Sequence, residues 1–323
     1  MDIKICTTAE WSENNWLTYC DSFNTVFEKK YDLSYFKQKY TETIDAKSYH
    51  ALLLNENMEV VGGCSAIPYL YIKEDKKIRI GQAVDVFILE EFRTDPLMLR
   101  RMYMQLKKLL IAHDISVVMA VPNATAYPYW KNIVKWNDVG DLTYWMLPIR
   151  IGNIINKWHF LNCLSLAFSY ISLVFNALIM SLCNNKEKES LYELIVDDAF
   201  LKYRYPSDYY EVIIGSIRFY YRVYYEDGVQ TAYLLDVMQN GKMSYKGLFK
   251  GVSYIIRKTK SDLILYIGPL RLFQTLLIKV PKKFKPKRLP LTCDILNKED
   301  FDIYKDMLVL KNWNFGLKNY DVR

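Results

Sequence analysis

The chain is poor in the residues that break or bend a backbone. Its 323 residues include 12 glycines and 10 prolines, together about 7% of the chain against roughly 12% in average usage. This scarcity excludes collagen-like, low-complexity and glycine-rich linker architectures. Because hydrophobic residues make up 51% and charged residues 24% of the chain, intrinsic disorder is excluded as well. The length favours two domains over one.

Histidine is also scarce, and the cysteines are widely spaced. The six cysteines form no CxxC pair, and the three histidines lie far apart in the sequence. This pattern is typical of a reduced, cytoplasmic and metal-free protein, and it offers no Ser/His/Asp or Cys/His centre. The first residues, MDIKICTTAEW, do not have the pattern of a secretory signal. The net charge of +7 suits anionic ligands but is too small for a nucleic-acid-binding face.

What the chain does contain is a series of segments that occurs twice. In the first half, YFKQKY (35–40) precedes YHALLL, QAVDVFI, LMLRRMYMQLKKLLIAH and SVVMAVPN. In the second half, FLKYRY (200–205) precedes YEVIIG, YLLDVM, SYKGLFKGVSYIIRK and DLILYIGP. Each series predicts a helix, β-branched and aromatic strands, a second helix and a further strand. We therefore predict two copies of one mixed α/β domain, each a mixed twisted sheet flanked by helices, over residues 1–150 and 187–323.

Residues 151–186, between the two copies, contain an apolar helix. The stretch from Phe160 to Cys183 has no charged residue and is long enough to cross a bilayer. Its polar side chains recur at steps of three and four, which places them on one helix face; they are Asn162, Ser165, Ser169, Ser172 and Asn176. Spanning is disfavoured because it would place the two copies on opposite sides of a membrane. The open alternatives are burial between the domains or in a homodimer, and membrane-surface association through residues 158–183, with the basic run 279–288 as an anchor or a solvated loop.

The order of segments resembles the GNAT acyltransferase superfamily. More narrowly, FNTVF with LSYFKQKY, PN followed by AYPYW, and FLKYRY with NWNFGLKNYD are similar to tandem acetyltransferases encoded among bacterial surface-polysaccharide genes. The resemblance covers both halves. It implies acetyl-CoA as the cofactor and a small-molecule amine as the substrate, an amino sugar of surface polysaccharide among the candidates. The alternatives are a non-catalytic GNAT-like binding or scaffold protein and an aminoacyl-transferring relative.

In that superfamily the fourth strand and the helix after it bind acetyl-CoA. A strand edge bonds the pantetheine amides, and a glycine-rich turn presents N–H groups of a helix N-terminus to the pyrophosphate. Here the turn 93–98 has Pro96 and Met98 at the two glycine positions, and Asp95 adds a negative charge. The turn of the second copy, 239–244, has one glycine and no leading arginine. The residues that the resemblance assigns to the cofactor are Val86, Ile88, Arg93, Leu97, Met98, Leu99, Arg100 and Arg101.

Asp85 is the candidate base for amine acetylation. Transfer of an acetyl group to an amine needs a base for the amine proton, donors for the thioester carbonyl and an acid for the leaving thiolate. Asp85 lies inside the apolar strand AVDVFI, where burial would make its carboxylate a stronger base. Asp236 occupies the same place in YLLDVM. A structural role shared by both aspartates is therefore the alternative to catalysis.

The remaining catalytic candidates follow the fifth strand. Asn123 ends SVVMAVPN, where the family often places a side chain facing the cofactor. The family's usual thiolate acid is a tyrosine seven residues further on, a position that is Trp130 here. Tyr127 and Tyr129 flank it as substitutes, and because they point in different directions on a short helix, at most one of them faces the sulfur.

Overall fold

The fold is an alternation of helices and strands. A computed structural model describes residues 1–182, 191–205, 209–239, 244–268 and 276–319. The α-helices are α1 (Glu13–Phe27), α2 (Leu33–Thr41), α3 (Met98–Ala112), α4 (Ala126–Tyr129), α5 (Ile151–Ile154), α6 (Leu161–Leu182), α7 (Asp198–Arg204), α8 (Tyr245–Thr259) and α9 (Phe301–Tyr304). The strands are β1 (Asp2–Thr7), β2 (Tyr49–Leu54), β3 (Val60–Lys73), β4 (Lys76–Ile88), β5 (Val117–Ala120), β6 (Asn137–Asp141), β7 (Tyr144–Pro148), β8 (Tyr192–Leu194), β9 (Tyr210–Ile214), β10 (Ile217–Glu226), β11 (Val229–Gln239), β12 (Leu263–Ile267), β13 (Ile278–Lys279), β14 (Pro290–Ile295) and β15 (Trp313–Asn314).

The chain divides into two compact units, each built from three segments. The first unit comprises Met1–Asp141, Ser190–Arg204 and Leu289–Trp313, and the second comprises Leu142–Glu189, Tyr205–Arg288 and Asn314–Arg323. The predicted division treats each half as continuous. In the structure, β7 pairs with β12 and β13 in the sheet of the second unit, whereas β14 pairs with β5 and β6 in the sheet of the first. The predicted boundary between 186 and 187 lies outside the described residues.

The sheet of the first unit has the order β1-β2-β3-β4-β5-β14-β6; β8 also pairs with β3, and β15 pairs with β8. Strands β4 and β5 are parallel, whereas the pairs β1/β2, β2/β3, β3/β4, β3/β8, β5/β14 and β6/β14 are antiparallel. The predicted strand segments YHALLL and QAVDVFI are confirmed within β2 and β4. The mixed α/β fold class is confirmed with them.

Helix α3 covers one face of this sheet. Its apolar residues recur at helical spacing and are buried; they are Met98, Met102, Tyr103, Leu106 and Leu110. The sequence predicts this helix from about Pro96 to Ala112, with Thr94 or Asp95 as its N-cap. The structure begins it at Met98 with Leu97 in the N-cap position, because the residues before it form a turn in which Met98 donates its N–H to the Asp95 carbonyl.

The sheet of the second unit has the order β13-β7-β12-β11-β10-β9. Strands β11 and β12 are parallel. The predicted strands YEVIIG, YLLDVM and DLILYIGP are confirmed within β9, β11 and β12, and the predicted helix is confirmed as α8. The core of this unit includes Phe219, Leu234, Val252 and Ile264, together with Leu173 from α6.

Candidate active site

In the first unit, β4 extends beyond its short parallel partner β5. The two parallel strands pair only over Ile80 to Gln82 of β4, whereas β3 stays paired with β4 as far as Ile88. Over Ala83 to Ile88, no described strand pairs with the opposite edge of β4. This stretch, called here the open edge of β4, has backbone N–H and C=O groups of the kind that an added extended chain can bond.

The open edge of β4 contains a bulge. Asp85 and Val86 together lie opposite the single residue Cys64 of β3. Asp85 has a left-handed backbone conformation, with φ of 49°, and bulges of this kind bend a strand and redirect its side chains. Val86 and Ile88 pack their side chains against the core that contains α3. Of the predicted cofactor residues on β4, these two therefore offer backbone groups to a ligand.

The Asp85 side chain is held by two residues of α2. The Nζ atom of Lys39 lies 2.6 Å from Oδ2 of Asp85, and both side chains are about nine-tenths buried. The Tyr40 hydroxyl donates to the same Oδ2 over 2.5 Å. Within the described part of the chain, Oδ1 of Asp85 has no hydrogen-bond partner. The carboxylate is thus fixed through one oxygen and keeps the other for a ligand.

A buried chain of hydrogen bonds continues from Tyr40. Its hydroxyl lies 2.6 Å from the Tyr19 hydroxyl, which is 3.4 Å from Oγ of Ser65. Ser65 in turn bonds Nδ1 of His50 over 2.8 Å. The Nε2 atom of His50 contacts the Thr8 hydroxyl at 3.0 Å. This network ties β2, β3, α1 and Thr8, the residue after β1, to the helix that positions Asp85.

Burial sets the protonation states along this network. It raises the pKa of Tyr19 and Tyr40 well above their ordinary value, and the charge of Asp85 adds to the effect. Both phenols therefore stay protonated and available as donors. Burial lowers the pKa of His50 to about 3, so this imidazole is neutral at physiological pH. Neither histidine nor phenol carries a charge that would compete with Asp85.

The N-terminus of α3 is capped by the chain's own acidic side chain. Oδ1 of Asp95 accepts the N–H of Leu97 over 2.8 Å, and Oδ2 of Asp95 forms an ion pair with Arg101. The N–H of Met98 bonds the Asp95 carbonyl. The Asp95 carboxylate thus occupies the N–H of Leu97 and places a negative charge beside the positive end of the helix dipole, where a phosphate would otherwise bind.

Tyr129 closes the same helix end from α4. Its hydroxyl accepts the backbone N–H of Arg100 over 3.1 Å and donates to the Pro96 carbonyl over 2.9 Å. Burial raises the pKa of Tyr129, so the phenol keeps its proton. Of the two predicted tyrosines, Tyr129 is the one that the structure places at the first turn of α3.

The three predicted arginines have different surroundings. Nε of Arg93 donates to the carbonyl of Ile88 over 2.8 Å, which caps the last residue of β4. Arg101 is paired with Asp95, and Arg100 is solvent-exposed. Three cationic side chains thus lie around the end of β4 and the start of α3, although the carboxylate of Asp95 neutralises one of them.

The other predicted residues near this turn pack in several ways. Leu97 is exposed, Met98 is buried in the core and Leu99 is half-buried against it. Trp130, at the position of the family's tyrosine, is buried with its ring centroid 5.4 Å from Tyr103. A core indole that lies against a buried phenol is a packing residue.

Asn123 and Tyr127 are both engaged away from β4. Oδ1 of Asn123 accepts the N–H of Ala126 over 2.8 Å, which caps α4. The Tyr127 hydroxyl bonds the carboxylate of Asp138 over 2.7 Å, and Nζ of Lys131 lies 3.1 Å from that hydroxyl. Tyr127 and Tyr129 thus bond different partners, Asp138 and the carbonyl of Pro96.

Sequence reasoning missed Lys39 and Tyr40 as partners of Asp85. The segment YFKQKY, which contains both residues, is recognisable in the sequence as one of the repeated segments. Helical spacing puts Phe36 and Tyr40 on one face, and both are buried. Lys39 is next to this buried face, and the same copy has Asp85 inside an apolar strand. These two features together were the available signal for an ion pair.

The second unit contains a comparable arrangement around Asp236. β11 pairs with β12 only over Thr231 to Tyr233, and a bulge follows in β11 where its register against β10 shifts. Nζ of Lys318 lies 3.2 Å from Oδ2 of Asp236. The side chain of Ser244 caps α8. Residues 240–243 of the predicted cofactor turn lie outside the described residues.

Comparisons with known proteins place this geometry in a known fold. No protein-family model matches the sequence, and no curated protein matches it. Among solved structures, a GCN5-related N-acetyltransferase from Anabaena variabilis ATCC 29413 is similar with a TM-score of 0.59 and 14% identity, over 91% of this chain and 73% of that one. A conserved protein of unknown function from Enterococcus faecalis V583, described as a probable N-acyltransferase, has a TM-score of 0.58 and 10% identity over 93% and 74%. A GCN5-related N-acetyltransferase from Kribbella flavida has a TM-score of 0.57 and 9% identity over 91% and 72%. At these identities the likeness is one of fold, and the chain has the mixed α/β fold of the GCN5-related N-acetyltransferases.

Proposed function

We propose that the chain is an N-acetyltransferase that moves an acetyl group from acetyl-CoA to an amino group, with the reaction in the first unit. The observation that carries the proposal is the open edge of β4 beyond its pairing with β5, with Asp85 at the bulge in that edge. The N-acetyltransferase descriptions of the similar structures support the reaction class. The second unit, with Asp236 at the corresponding place, is proposed as a duplicate of the first.

The strand part of the cofactor site fits a pantetheine chain. Between Ala83 and Ile88, the open edge of β4 offers amide and carbonyl groups at the spacing of an extended ligand. Acetyl-CoA would supply the activated acetyl thioester. Arg93 and Arg100 are the cations available for its phosphates, and the N–H groups of Leu97, Met98 and Leu99 would be the helix donors.

The helix part of the site does not fit a diphosphate in the arrangement observed. Asp95 holds the N–H of Leu97, and Tyr129 holds that of Arg100. A diphosphate beside the Asp95 carboxylate would also experience charge repulsion. Binding through this helix end therefore requires the Asp95 side chain to rotate away from the first turn.

In the proposal, side chains of the first unit bind the acceptor amine and transfer the protons of the reaction. Oδ1 of Asp85 has no partner among the described residues, and in the proposal it binds the ammonium form of the acceptor and receives its proton. Lys39 and Tyr40 keep the carboxylate in place through Oδ2. Tyr129 holds a proton near the start of α3 and is the proposed acid. Asn123 and Tyr127 support α4 and its surroundings.

The acceptor is proposed to be a small-molecule amine. An acidic side chain that is about nine-tenths buried favours a compact primary amine over a large polymer. The resemblance to enzymes of surface-polysaccharide genes makes amino sugars and their nucleotide derivatives the first acceptors to assay. Such reactions would take place in the cytoplasm.

A non-catalytic GNAT-like binding protein is the second candidate. The observation that favours it is the closed helix end, where Asp95 and Tyr129 occupy the donors that a cofactor would need. The packing of Trp130 against Tyr103 also removes a proton donor from the family's usual position.

Calorimetric titration with acetyl-CoA separates the two candidates. If the proposal holds, the wild-type chain binds acetyl-CoA with micromolar affinity and Arg93→Glu abolishes the binding. Lys108→Glu is the matched control because it reverses an exposed charge at the other end of α3. An absence of heat up to millimolar cofactor would reject the enzyme, and equal effects of both variants would reject the site.

A further inference from the structure

Helix α6 docks through its polar face. Within the second unit, Ser165 and Ser169 donate to the carbonyls of Ile149 and Pro148, each over 2.8 Å. Further along the helix, Nδ2 of Asn176 donates to the carbonyl of Leu276 over 3.1 Å. Ser165 is 8% and Ser169 0% exposed. The predicted polar stripe is therefore the inner face, fixed to the backbone of its own unit.

The outer face of α6 is apolar and open to solvent. Within the described residues, its large hydrophobic side chains are between 37% and 84% exposed; they are Leu164, Leu166, Phe168, Ile171, Val174, Phe175, Leu178, Ile179 and Leu182. Trp158 and Phe160, just before the helix, are 64% and 73% exposed. Soluble monomers rarely expose a continuous apolar face of this length, which marks it as a binding surface.

A basic row lies on the neighbouring helix. α8 contacts α6, and residues of both helices share the core of the second unit. The solvent-facing cations of α8 and its C-cap are Lys246, Lys250, Arg257, Lys258 and Lys260. Residues 244–260 contain no acidic side chain. An apolar helix face thus lies beside a helix whose exposed charges are all positive.

We propose that this surface, formed by α6 and α8 and called here the α6–α8 face, binds the surface of an anionic lipid bilayer. The apolar side chains of α6 enter the boundary between headgroups and acyl chains, and the cations of α8 meet anionic headgroups. Trp158 lies at the end of α6 where an interfacial aromatic anchor is expected. The helix lies in the plane of the membrane.

Crossing the bilayer is incompatible with the inner face of α6. The window from Leu161 to Ile179 is long and apolar enough to cross a membrane, and 17% of it is buried. The side chains of Ser165 and Asn176 nevertheless donate hydrogen bonds to the carbonyls of Ile149 and Leu276, and these bonds fix the window to a mixed α/β unit. A spanning helix would have to break these bonds and carry the unit's charged surface into hydrocarbon.

Charge also distinguishes a membrane from a second copy of the chain. In a two-fold dimer the α6–α8 face would pack against itself, because such an interface is self-complementary. Neither the described part of α6 nor α8 contains an acidic residue to pair with the basic row of a partner. Anionic lipid supplies that negative charge, and the observations favour it.

Vesicle flotation tests the proposal with the full-length chain. Vesicles of equal parts phosphatidylcholine and phosphatidylglycerol are compared with vesicles of phosphatidylcholine alone. We expect the chain to float with the anionic vesicles, and the double variant Ile171→Gln/Phe175→Gln to lower the partition coefficient by at least about tenfold. The charge variant Lys246→Glu/Lys250→Glu should weaken binding to anionic vesicles and reduce its dependence on salt.

Matched controls separate surface effects from unfolding. Ile213 is 56% exposed on β9 of the same unit, so Ile213→Gln should leave flotation unchanged. Lys29→Glu/Lys30→Glu reverses exposed charges in the first unit and should also have no effect. Failure of the wild-type chain to bind anionic vesicles, or equal loss in variants and controls, overturns the proposal. A stable dimer in sedimentation that the α6 variant dissociates, without vesicle binding, assigns the face to a second copy instead.

Discussion

The ammonium group of Lys39 and the carboxylate of Asp85 lie 2.6 Å apart, and both side chains are about nine-tenths buried. The pair joins α2 to the bulge of β4. The ion pair fixes the carboxylate of Asp85 on the open edge of β4, beyond the residues that pair with β5. A comparable pair, Lys318 and Asp236, lies at the bulge of β11. Its lysine follows the strands of the second unit in the sequence, whereas Lys39 precedes β4.

Removing Lys39 alone should destabilise the chain. Lys39→Met leaves the buried carboxylate of Asp85 without its counter-ion, and breaking a buried pair typically costs about 3–5 kcal/mol. The double variant Lys39→Met/Asp85→Asn removes both charges and should recover most of that loss. Urea denaturation measures the free energy of unfolding of each variant. Lys37→Met, on the exposed side of the same helix, should change it by less than about 0.5 kcal/mol.

The same double variant tests the role of Asp85 in the proposed reaction. Because it stays folded but lacks the carboxylate, its turnover with an accepted amine should fall by about 100-fold or more. Its affinity for acetyl-CoA should be unchanged, since Asp85 faces the acceptor in the proposal. Turnover equal to that of the wild type would assign Asp85 a structural role only, as the presence of Asp236 in the second unit suggests.

The sequence could identify Asp85 but not its partner. A charged residue inside the apolar run AVDVFI is a local signal, and it marks a position that needs compensation. Lys39 is distant in sequence, and only the docking of α2 brings its side chain to the bulge. Asn123 and Tyr127 show the opposite case, because their residue types suit catalysis, whereas the structure uses them to cap α4 and to bond Asp138.

Periodicity alone could not decide which face of α6 is inside. The steps of three and four predict that the serines and asparagines share a face. The usual rule would turn that face to solvent, but open backbone carbonyls at Pro148 and Ile149 accept hydrogen bonds from it. Leu173 belongs to the same apolar stretch but is fully buried in the core of the second unit, so Leu173→Glu would disrupt that core and cannot probe a surface. The sequence also could not predict that β7 pairs with β12 and β13, or that β14 pairs with β5 and β6. These partners are distant in sequence, and a division into two continuous halves separates them.

Asp95→Asn should increase the affinity for acetyl-CoA. Asparagine keeps an oxygen for the N–H of Leu97 but removes the negative charge and releases Arg101 from its ion pair. One fewer repulsion and one more available cation near a phosphate correspond to roughly a tenfold gain in affinity. Titration calorimetry of the variant and the wild type measures it. Unchanged or weaker binding would show that the phosphates do not approach this end of α3.

His50 should make the fold sensitive to acid. Burial lowers its pKa to about 3 in the folded chain, whereas an unfolded histidine titrates near 6.5. Below pH 6.5 the unfolded chain takes up a proton that the folded chain does not, so stability from this group is complete above 6.5 and falls as pH decreases towards 3. At pH 5 the loss is roughly 2 kcal/mol.

The measurement compares unfolding free energies at pH 7 and pH 5. His50→Gln should flatten the decrease between these two pH values by about the same 2 kcal/mol, whatever its effect at neutral pH. His159→Gln is the control because His159 is exposed, and its pH dependence should match that of the wild type. If the wild type and His50→Gln have parallel profiles, another group controls the acid response.

The two faces of α6 should respond oppositely to a change of polarity. Ser169→Ala removes a donor from the carbonyl of Pro148, and loss of a partly buried hydrogen bond of this kind costs about 1–2 kcal/mol. Ile171→Gln makes the outer face more polar at a side chain that is 67% exposed, and it should change the free energy of unfolding by less than about 0.5 kcal/mol. Thermal or urea unfolding measures the loss of stability in both variants. In vesicle flotation we expect the reverse order, with the larger loss of binding in Ile171→Gln, because in the proposal Ile171 faces the lipid and Ser169 does not. If Ile171→Gln destabilises the isolated chain as much as Ser169→Ala does, the outer face is packed against protein and the orientation of α6 described above is wrong.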